Sequence, residues 1–382
     1  MTPTDDETHA ATRETTRRSF LRVAVAGVLV GGVASIGLVT ARRGRGGGGN
    51  AVPTLRWGVV GTGSIANSMA AVIDRAAGAE LAAVSSRSMD TAREYADRHG
   101  VAGAFDSWAD MIASDAVDAI YVATPTSVRE EICVAAARGG RHVLGEKPFA
   151  SLPSVRRILA ACRENDVAFM DGTHFPHHPR THEIRTRRDE LVGTTWSVAS
   201  AFQFNLADRS NIRYDPDLEP MGAIGDAGWY NMRAAVEYLP AGADLEGAAT
   251  FLRRDVETGA VIGGSGVLRF SGGATSTWDC GFDSAARVAD LRISGTEGVV
   301  SIDDFLTQNP DGSADYRLRR GRNDVETVNV PSSKPGSVSM FEDVAAAAAD
   351  PTLRERWMNA TERTQTLLDA AWRAGLESEN GV

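Results

Sequence analysis

The feature that most restricts the fold is a glycine-rich turn between a predicted strand and a predicted helix. Leu55–Val60 has the apolar content of a buried strand, and Gly61-Thr-Gly63-Ser-Ile-Ala66 follows it directly. In such turns the first glycine permits the tight bend, the second lets the backbone approach a pyrophosphate, and the small last residue brings the helix close. The helix N-terminus supplies N–H groups for the phosphates. The predicted dinucleotide contacts are Gly61, Thr62, Gly63, Ser64 and Ile65.

Alternating strand and helix patterns continue beyond this turn. A strand is predicted at Ala119–Val122 and a helix at residues 127–138. A short strand that ends before Lys147, a helix at Leu152–Glu164 and a strand at residues 168–170 follow. Repeated β-α units of this length predict an α/β Rossmann-type fold with a doubly wound parallel sheet.

The end of the second predicted strand bears on which dinucleotide binds. Residues 81–84 are followed by Ser85, Ser86, Arg87 and Ser88, at the place where an acidic residue would bind the 2′-hydroxyl of NAD. A hydroxyl and a guanidinium suit a 2′-phosphate better, because arginine and phosphate form charge-assisted hydrogen bonds. We therefore expect Ser86 and Arg87 to bind NADP, with NAD as the alternative. Otherwise Arg87 would only cap the turn before the next helix.

Charge, length and cysteine content narrow the function classes. The formal net charge of −10 over 382 residues, without a basic stripe beyond the N-terminal arginines, argues against a nucleic-acid partner. The length suffices for two domains with a sizeable core. Cys133, Cys162 and Cys280 are far apart and lack metal-ligand spacing, so we expect small buried side chains and no disulfide framework.

Residues 1–52 have the composition of a targeting segment and linker. Arg17 and Arg18 resemble the pair of a twin-arginine export signal, and an uncharged run over residues 23–41 follows them. The run approaches the ~20 apolar residues that span a bilayer, and no clear cleavage site comes after it. We expect export by the twin-arginine machinery to an extracytoplasmic location, with the segment either removed or kept as a membrane anchor.

Lys147 stands where a predicted buried strand ends abruptly, in the run Gly145-Glu-Lys-Pro148. Ligands of open α/β sheets bind in the crevice beyond the carboxyl ends of the strands. Taken alone, a lysine in a strand-to-helix turn is more often an ordinary surface residue. Its place after a dinucleotide-binding turn favours a proton donor or an electrostatic anchor instead.

Several segments, in this order, resemble the GFO/IDH/MocA oxidoreductase family, named for glucose–fructose oxidoreductase, inositol dehydrogenase and a rhizopine-catabolism protein. They are Gly58-Val-Val-Gly-Thr-Gly-Ser-Ile-Ala66, Ala123-Thr-Pro125, Gly145-Glu-Lys-Pro148, Met170-Asp-Gly172 and Gly222-Ala-Ile-Gly-Asp226-Ala-Gly-Trp-Tyr230. The resemblance covers roughly residues 54–375. It implies a nucleotide-binding domain at residues 53–172 and an α+β domain at residues 173–382, built on a large, open, mainly antiparallel sheet that often mediates homo-oligomerisation.

Strand patterns in the second half agree with that expectation. Predicted strands cover residues 196–204, 247–252, 264–270, 275–282, 288–293 and Val299–Ile302. A closing helix is predicted from about Leu353 to Ala374.

Hydride transfer from a carbinol to nicotinamide needs an acid or base for the hydroxyl proton. Asp226 and Tyr230 lie four residues apart in a predicted helix, so both side chains can share one face. Without the resemblance, a helix cap and a buried tyrosine would explain them. The family carries an Asp here with a His or Tyr four residues later. This implies that Tyr230 is the proton donor or acceptor, helped by the Lys147 ammonium, and that Asp226 orients the substrate or the lysine.

The resemblance also assigns cofactor contacts. Thr124 and Pro125 should lie beside the nicotinamide ribose, with Glu146 and Lys147 nearby. Arg129 departs from the pattern, since many relatives have a histidine in that helix, and it puts the local cofactor contacts in doubt. The tyrosine at position 230 resembles the glucose–fructose oxidoreductase and dihydrodiol dehydrogenase-like branches.

A histidine cluster raises the question of a metal. His174, His177, His178 and His182 are four of the seven histidines, and zinc sites use such spacings. However, two prolines between them should break any helix that aligns them, and no carboxylate or thiolate joins at regular spacing. The segment resembles one that lines the substrate cleft of the dihydrodiol dehydrogenase-like branch. We expect no metal.

The expected function is an NADP-dependent oxidoreductase for a sugar, polyol or cyclic diol. Export adds a constraint, because free NADP is scarce outside the cytoplasm and the twin-arginine route carries folded proteins with bound cofactor. A tightly held cofactor would satisfy this constraint. One alternative is the redox-neutral, NAD-dependent glycosidase chemistry of some family members. The other is a non-catalytic regulatory or scaffold protein, against which Lys147 and Tyr230 argue.

Overall fold

The structure, a computed structural model, describes residues 53–381. The twin-arginine motif, the uncharged run and the glycine-rich linker predicted within residues 1–52 lie outside the described residues. None of the helices in residues 53–381 combines the length and apolar character needed to cross a membrane.

The first half forms the predicted parallel sheet. Its strands are β1 Leu55–Val60, β2 Ala79–Ser85, β3 Gly103–Phe105, β4 Ala119–Val122, β5 His142–Gly145 and β6 Phe169–Asp171. The order is β3-β2-β1-β4-β5-β6 with every neighbouring pair parallel. The connecting helices are α1 Ser64–Ile73, α2 Met89–His99, α3 Trp108–Ala113, α4 Thr126–Arg138 and α5 Leu152–Glu164. This arrangement confirms the doubly wound Rossmann-type sheet.

The second sheet has nine strands and is mainly antiparallel, as predicted. They are β7 Thr195–Asn205, β8 Leu245–Arg254, β9 Val261–Phe270, β10 Thr275–Gly281, β11 Asp283–Val288, β12 Leu291–Gly295, β13 Val299–Ile302, β14 Ala314–Arg319 and β15 Val325–Val330. Their order is β15-β14-β13-β12-β7-β10-β9-β8, and β11 pairs with β7. The β7–β10 pair alone is parallel among them.

The single strand predicted over residues 288–293 is wrong. Both β11 and β12 pair with β7, but with different registers. Between them the backbone of Ala289 accepts a hydrogen bond from Phe305, and that of Asp290 accepts one from Ala201. These bonds redirect the chain, so one apolar run is divided between two strands.

The helices of the second half are α6 Pro179–Thr186, α7 Arg188–Val192, α8 Gly222–Asp226, α9 Gly228–Tyr238, α10 Gly336–Ala349 and α11 Pro351–Glu379. Helix α9 packs on the second sheet, where Asn231 donates to Ser200 Oγ at 2.9 Å. Helices α10 and α11 return to the first sheet. Phe341 packs edge-on against Trp57 with a centroid distance of 4.9 Å. The two sheets therefore share helices that fix the crevice between them.

Candidate active site

The glycine turn has the geometry needed for a close approach of phosphates. Gly61 adopts a φ of 105°, and a Cβ there would lie 2.6 Å from the carbonyl oxygen of Ala123. A side chain at this position would be both strained and blocked. A Cβ built on Gly63 would meet no atom within 4 Å, so the space before the turn is open. Because α1 begins at Ser64, its N-terminal N–H groups lie beside that space.

Asn67, which the sequence analysis missed, holds this turn in place. Its side-chain amide donates to the carbonyl oxygens of Thr62 and Gly63 at 2.9 and 3.0 Å. Its Oδ1 is 3.0 Å from Nη1 of Arg98 and 2.9 Å from Nε2 of His99, both near the end of α2. The turn is thus braced by a neighbouring helix. Asn67 follows the glycine motif by one residue, so the motif itself gave a local signal.

Ser86 and Arg87 lie beyond the carboxyl end of β2, beside the glycine turn. Gly61 donates to the backbone of Ser85 at 2.9 Å, which joins the two segments. The side chain that caps α2 belongs to Ser88, whose Oγ accepts from the backbone of Thr91 at 3.2 Å. The geometry thus gives the capping role to Ser88.

Thr124 and Pro125 follow β4 and precede α4, so they stand at the same edge of the sheet as the glycine turn. Arg129 is buried behind them and donates to the backbone carbonyls of Thr124 and Pro148. It therefore joins the Thr124 turn to the turn that carries Lys147. The departure from the family pattern at Arg129 serves as a brace between two loops.

Glu146 is buried directly before Lys147. Its Oε1 accepts a hydrogen bond from the Tyr121 hydroxyl at 2.6 Å. A Cβ on Gly172 would lie 2.8 Å from the Glu146 carboxyl group, so a larger residue at position 172 would displace that carboxyl group. Burial is the largest influence on the Glu146 carboxyl and raises its pKa, although Lys147 and the Tyr121 hydroxyl oppose this.

Lys147 forms a buried ion pair with Asp226. Its Nζ lies 2.6 Å from Oδ1 and 3.0 Å from the backbone oxygen of Asp226, and the two side chains are 9% and 12% exposed. Burial would lower the pKa of Lys147, but the nearby acidic groups outweigh it and the pKa is raised. Burial would likewise raise the pKa of Asp226, but Lys147 and Arg213 hold it well below its ordinary value. The pair is therefore charged at neutral pH.

Arg213 is the second partner of Asp226 and was not predicted. Its Nε donates to Oδ2 at 2.8 Å and its Nη2 to Oδ1 at 3.2 Å. It lies in a short 3-10 turn, Ile212–Tyr214, whose sequence carries no motif. Because a family motif marks Asp226 and Lys147 but not Arg213, only the folded chain reveals the three-membered charge cluster.

The ring of Tyr230 faces the Lys147 ammonium, with Nζ 4.8 Å from the ring centroid. His174 lies on another side of the ring at a centroid distance of 5.8 Å. Burial raises the pKa of Tyr230 to about 12, against the lowering effect of Lys147. The sequence predicted that the Lys147 ammonium would favour the phenolate of Tyr230, but in the folded protein burial has the larger effect on the Tyr230 pKa. Burial, with Lys147, also lowers the pKa of His174 to about 4, which leaves this imidazole neutral.

Asp226 and Tyr230 belong to two consecutive helices instead of one. Asp226 ends α8, Ala227 separates the two elements, and Tyr230 lies in the first turn of α9. The backbone of Tyr230 donates to Ala227 at 3.1 Å, so the chain stays helical across the junction. Both side chains consequently still reach Lys147.

The histidine cluster is divided among separate partners. His177 binds Asp343 at 2.6 Å, and His178 contacts the carbonyl oxygen of Gly312 at 2.9 Å. His174 faces Tyr230, and His182 contacts Arg185 at 3.0 Å. The residue Pro179 begins helix α6 and does not break it, because proline is tolerated in a first helical turn. Among residues 53–381 no group of three His, Cys, Asp or Glu side chains could hold a metal ion.

The sequence is similar to those of known oxidoreductases. Residues 55–173 match GFO_IDH_MocA, described as an oxidoreductase family with an NAD-binding Rossmann fold, and residues 186–301 match the GFO/IDH/MocA C-terminal domain. The chain is 33% identical over 239 residues to the dTDP-3,4-didehydro-2,6-dideoxy-alpha-D-glucose 3-reductase of Actinomadura kijaniata, covering 62% of this chain and 70% of that protein. It is 28% identical over 321 residues to D-xylose 1-dehydrogenase (NADP(+)) 2 of Haloferax volcanii, covering 83% and 97%.

Solved structures share the fold. A 3-ketoreductase from Actinomadura kijaniata, in complex with NADP and TDP-benzene, superposes with a TM-score of 0.75 at 27% identity, covering 84% of this chain and 98% of that one. An aldose-aldose oxidoreductase from Caulobacter crescentus shares the fold, with a TM-score of 0.76 at 22% identity and coverage of 85% and 98%. The chain therefore belongs to the GFO/IDH/MocA family of oxidoreductases.

Proposed function

We propose that the chain is an NADP-dependent oxidoreductase that transfers hydride between the nicotinamide and a CH–OH or keto carbon of a sugar or polyol. The observation that carries this proposal is the cluster of Lys147, Asp226 and Tyr230, whose lysine follows β5 at the same edge of the first sheet as the open glycine turn after β1. Relatives support it, because the Haloferax enzyme is named as an NADP-dependent xylose dehydrogenase and the Actinomadura reductase binds NADP in its structure. Dehydrogenases and reductases among the relatives favour net redox chemistry over glycosidase or scaffold functions.

The residues at one edge of the first sheet suit the cofactor. The N-terminus of α1 and the open space before Gly63 would take the pyrophosphate, and Ser86 with Arg87 would take the 2′-phosphate. Thr124 and Pro125 would lie beside the nicotinamide ribose, next to Glu146. When bound, NADP supplies the hydride acceptor or donor.

The proton is handled by the protein. In the oxidative direction Tyr230 accepts the proton of the substrate hydroxyl, and in the reductive direction it returns the proton. The Lys147 ammonium donates a hydrogen bond to the same oxygen and favours the phenolate of Tyr230, since opposite charges attract. Asp226 keeps Lys147 charged and in place, because their contact is short and buried.

The second sheet is the surface we assign to homo-oligomer formation. Phe251 is 69% and Val267 is 36% exposed on one face of neighbouring strands. The next residue, Leu252, packs instead against Gly375 of α11, so the exposed side chains are on the opposite face. Exposed apolar side chains on an open sheet are typical of protein interfaces. Light scattering of the wild type and of a Phe251→Asp variant tests this assignment.

Arg17 and Arg18 support export by the twin-arginine route, with NADP bound before transport. Residues 23–41 would then either be removed or anchor the protein to the membrane. Replacing both arginines by lysine should retain the protein in the cytoplasm of the host. Equal extracytoplasmic amounts of the wild type and this variant would contradict the proposal.

A substrate and cofactor test addresses the reaction itself. One sample of the purified protein is denatured to detect any retained nucleotide, and binding of added NADP and NAD to a second, folded sample is measured by calorimetry. A panel of aldoses, ketoses and polyols is then screened for a change in NADPH absorbance. We expect NADP binding and turnover of at least one sugar or polyol. A protein that neither releases a retained nucleotide nor binds added NADP or NAD would refute the proposal.

A further inference from the structure

The segment at residues 206–221, between β7 and α8, contacts both walls of the candidate site. We call it the bridging segment. At one point Arg213 binds Asp226, and at another Glu219 binds Thr126 of the first half. The sequence separation of the second contact is 93 residues, so no local pattern announces it.

Arg213 engages Asp226 through both carboxylate oxygens. The Nε–Oδ2 and Nη2–Oδ1 distances of 2.8 and 3.2 Å form a fork, which fixes the plane of the carboxylate as well as its position. Asn211 supports the turn, because its Oδ1 accepts from the Arg213 backbone at 3.2 Å. Since Oδ1 of Asp226 also accepts from Lys147 at 2.6 Å, the orientation set by Arg213 is passed directly to the ammonium.

Glu219 anchors the other end of the bridging segment. Its Oε1 accepts from the backbone of Thr126 at 3.0 Å, and its Oε2 from the Thr126 hydroxyl at 2.6 Å. Pro125, at the N-cap of α4, has no side chain that could cap this helix. A carboxylate at the positive end of a helix is favourable. Glu219 thus ties the segment that carries Arg213 to the turn predicted to lie beside the nicotinamide ribose.

We propose that Arg213 is a positioning residue for proton transfer: by sharing Asp226 it fixes the Lys147 ammonium against Tyr230, while Glu219 holds the bridging segment in place. This inference rests on the proposed oxidoreductase function. It adds a residue from outside the family motifs to the site. The charge of Arg213 therefore influences proton transfer, although Arg213 does not contact the transferred proton.

The sign of the electrostatic effect follows from the surrounding charges. The titratable groups that act on Lys147 and Tyr230, besides each other, include Asp226, Glu146, Tyr121, Arg213 and His174. Arg213 is the cation of this set that lowers the pKa of both Lys147 and Tyr230. Its removal should therefore raise both pKa values and move the pH at which Tyr230 can accept a proton upwards.

The test compares Arg213→Gln, Arg213→Lys and the matched control Arg209→Gln. Arg209 lies in the same bridging segment, but its side chain is 53% exposed and pairs with Asp255 at 3.0 Å. We expect Arg213→Gln to lower kcat about 10- to 100-fold with little change in KM, because it removes the charge-assisted contact with Asp226. The rising limb of its pH profile should move to higher pH. Arg213→Lys should restore part of kcat, and Arg209→Gln should match the wild type.

A second readout does not require turnover. Lys147 and Lys334 are the two lysines of the sequence, so isotope-labelled lysine gives two side-chain ammonium signals in NMR. In Arg213→Gln the Lys147 ammonium signal should shift, because Asp226 is no longer held in one plane, while the Lys334 signal stays unchanged. If no sugar is turned over by the wild type, the proposed function fails, and this readout still decides whether Arg213 fixes the position of Lys147. An unchanged Lys147 signal, or an unshifted pH profile in an active Arg213→Gln enzyme, would overturn the inference.

Discussion

Replacing Asp226 by asparagine tests the charge cluster most sharply. The side chains are nearly the same size, so the change removes one negative charge and leaves the shape. In the wild type Asp226 neutralises Lys147 at 2.6 Å and Arg213 at 2.8 Å. Without it, two cations face each other in a largely buried site. The expected consequences are a loss of stability and a loss of activity from the same cause.

The magnitude follows from the exposure of the two cations. Removing one partner of a buried ion pair costs about 3–5 kcal/mol, because the other charge is left uncompensated. Lys147 is 9% exposed and has no access to full hydration, whereas Arg213 is 35% exposed and can be partly solvated. Screening of that second pair by water reduces its contribution. We therefore expect Asp226→Asn to lower the free energy of unfolding by about 3 kcal/mol.

The pH dependence of the folding stability provides a second, independent test of the charge cluster. Asp226 has a pKa held below its ordinary value, so its stabilising contribution is present above about pH 4 and is lost as the pH falls through the folded-state pKa. The stability difference between wild type and Asp226→Asn should shrink in acid. In the variant Lys147 loses its main counter-charge, and its pKa should fall because burial and Arg213 remain.

The assay is urea unfolding at several pH values, with the Lys147 side-chain NMR signal followed in parallel. Asp189→Asn is the control, because Asp189 is 78% exposed and pairs with Arg188 at the surface. Exposed pairs contribute about 0–1 kcal/mol, so the control should unfold like the wild type. An Asp226→Asn protein as stable as the control, with an unchanged Lys147 titration, would refute the charge cluster.

Two further variants probe the supports of the site. Asn67→Ala should weaken NADP binding about tenfold, because it removes the hydrogen bonds that brace the turn. Ser68→Ala is the control and should leave NADP binding unchanged, since Ser68 bonds only within its own helix. Calorimetry measures both affinities. Arg233→Met should lower the free energy of unfolding by about 3–5 kcal/mol, because it leaves the buried carboxylate of Asp171 without a cationic partner, while Glu237 keeps Arg185. Urea unfolding measures this loss, and wild-type stability would contradict it.

The sequence predicted those parts of the fold that local patterns encode. Strands β1, β4 and β13 have the predicted bounds, because short apolar or β-branched runs between turn residues are typical of strands. Strands β14 and β15 and helix α10 were not predicted. Strand β14 alternates buried and exposed residues, but Asp315, Arg317 and Arg319 interrupt its apolar character. This alternation is typical of a half-buried strand, so the sequence did carry a signal, and the strand pairs with its neighbours β13 and β15.

The residues of the site also fall into those that local motifs indicate and those that they do not. Lys147, Asp226 and Tyr230 carry motif signals, and the fold brings them together. Arg213 and Glu219 act through contacts with other elements and have no comparable motif, whereas Asn67 lies next to the glycine motif. The balance of effects on Tyr230 was also beyond the sequence, because it depends on how completely the ring is buried. Composition and spacing report neither burial nor contacts across the crevice.

The most direct test of the central claim is the rate of hydride transfer in Tyr230→Phe under single-turnover conditions with NADP bound. Tyr238→Phe is the control, since Tyr238 is a buried tyrosine on the same helix α9. If Tyr230 handles the substrate proton, Tyr230→Phe should bind NADP with wild-type affinity and transfer hydride about 10²–10⁴-fold more slowly. Tyr238→Phe should react at the wild-type rate. A Tyr230→Phe enzyme as fast as that control would contradict the assignment of the proton to Tyr230.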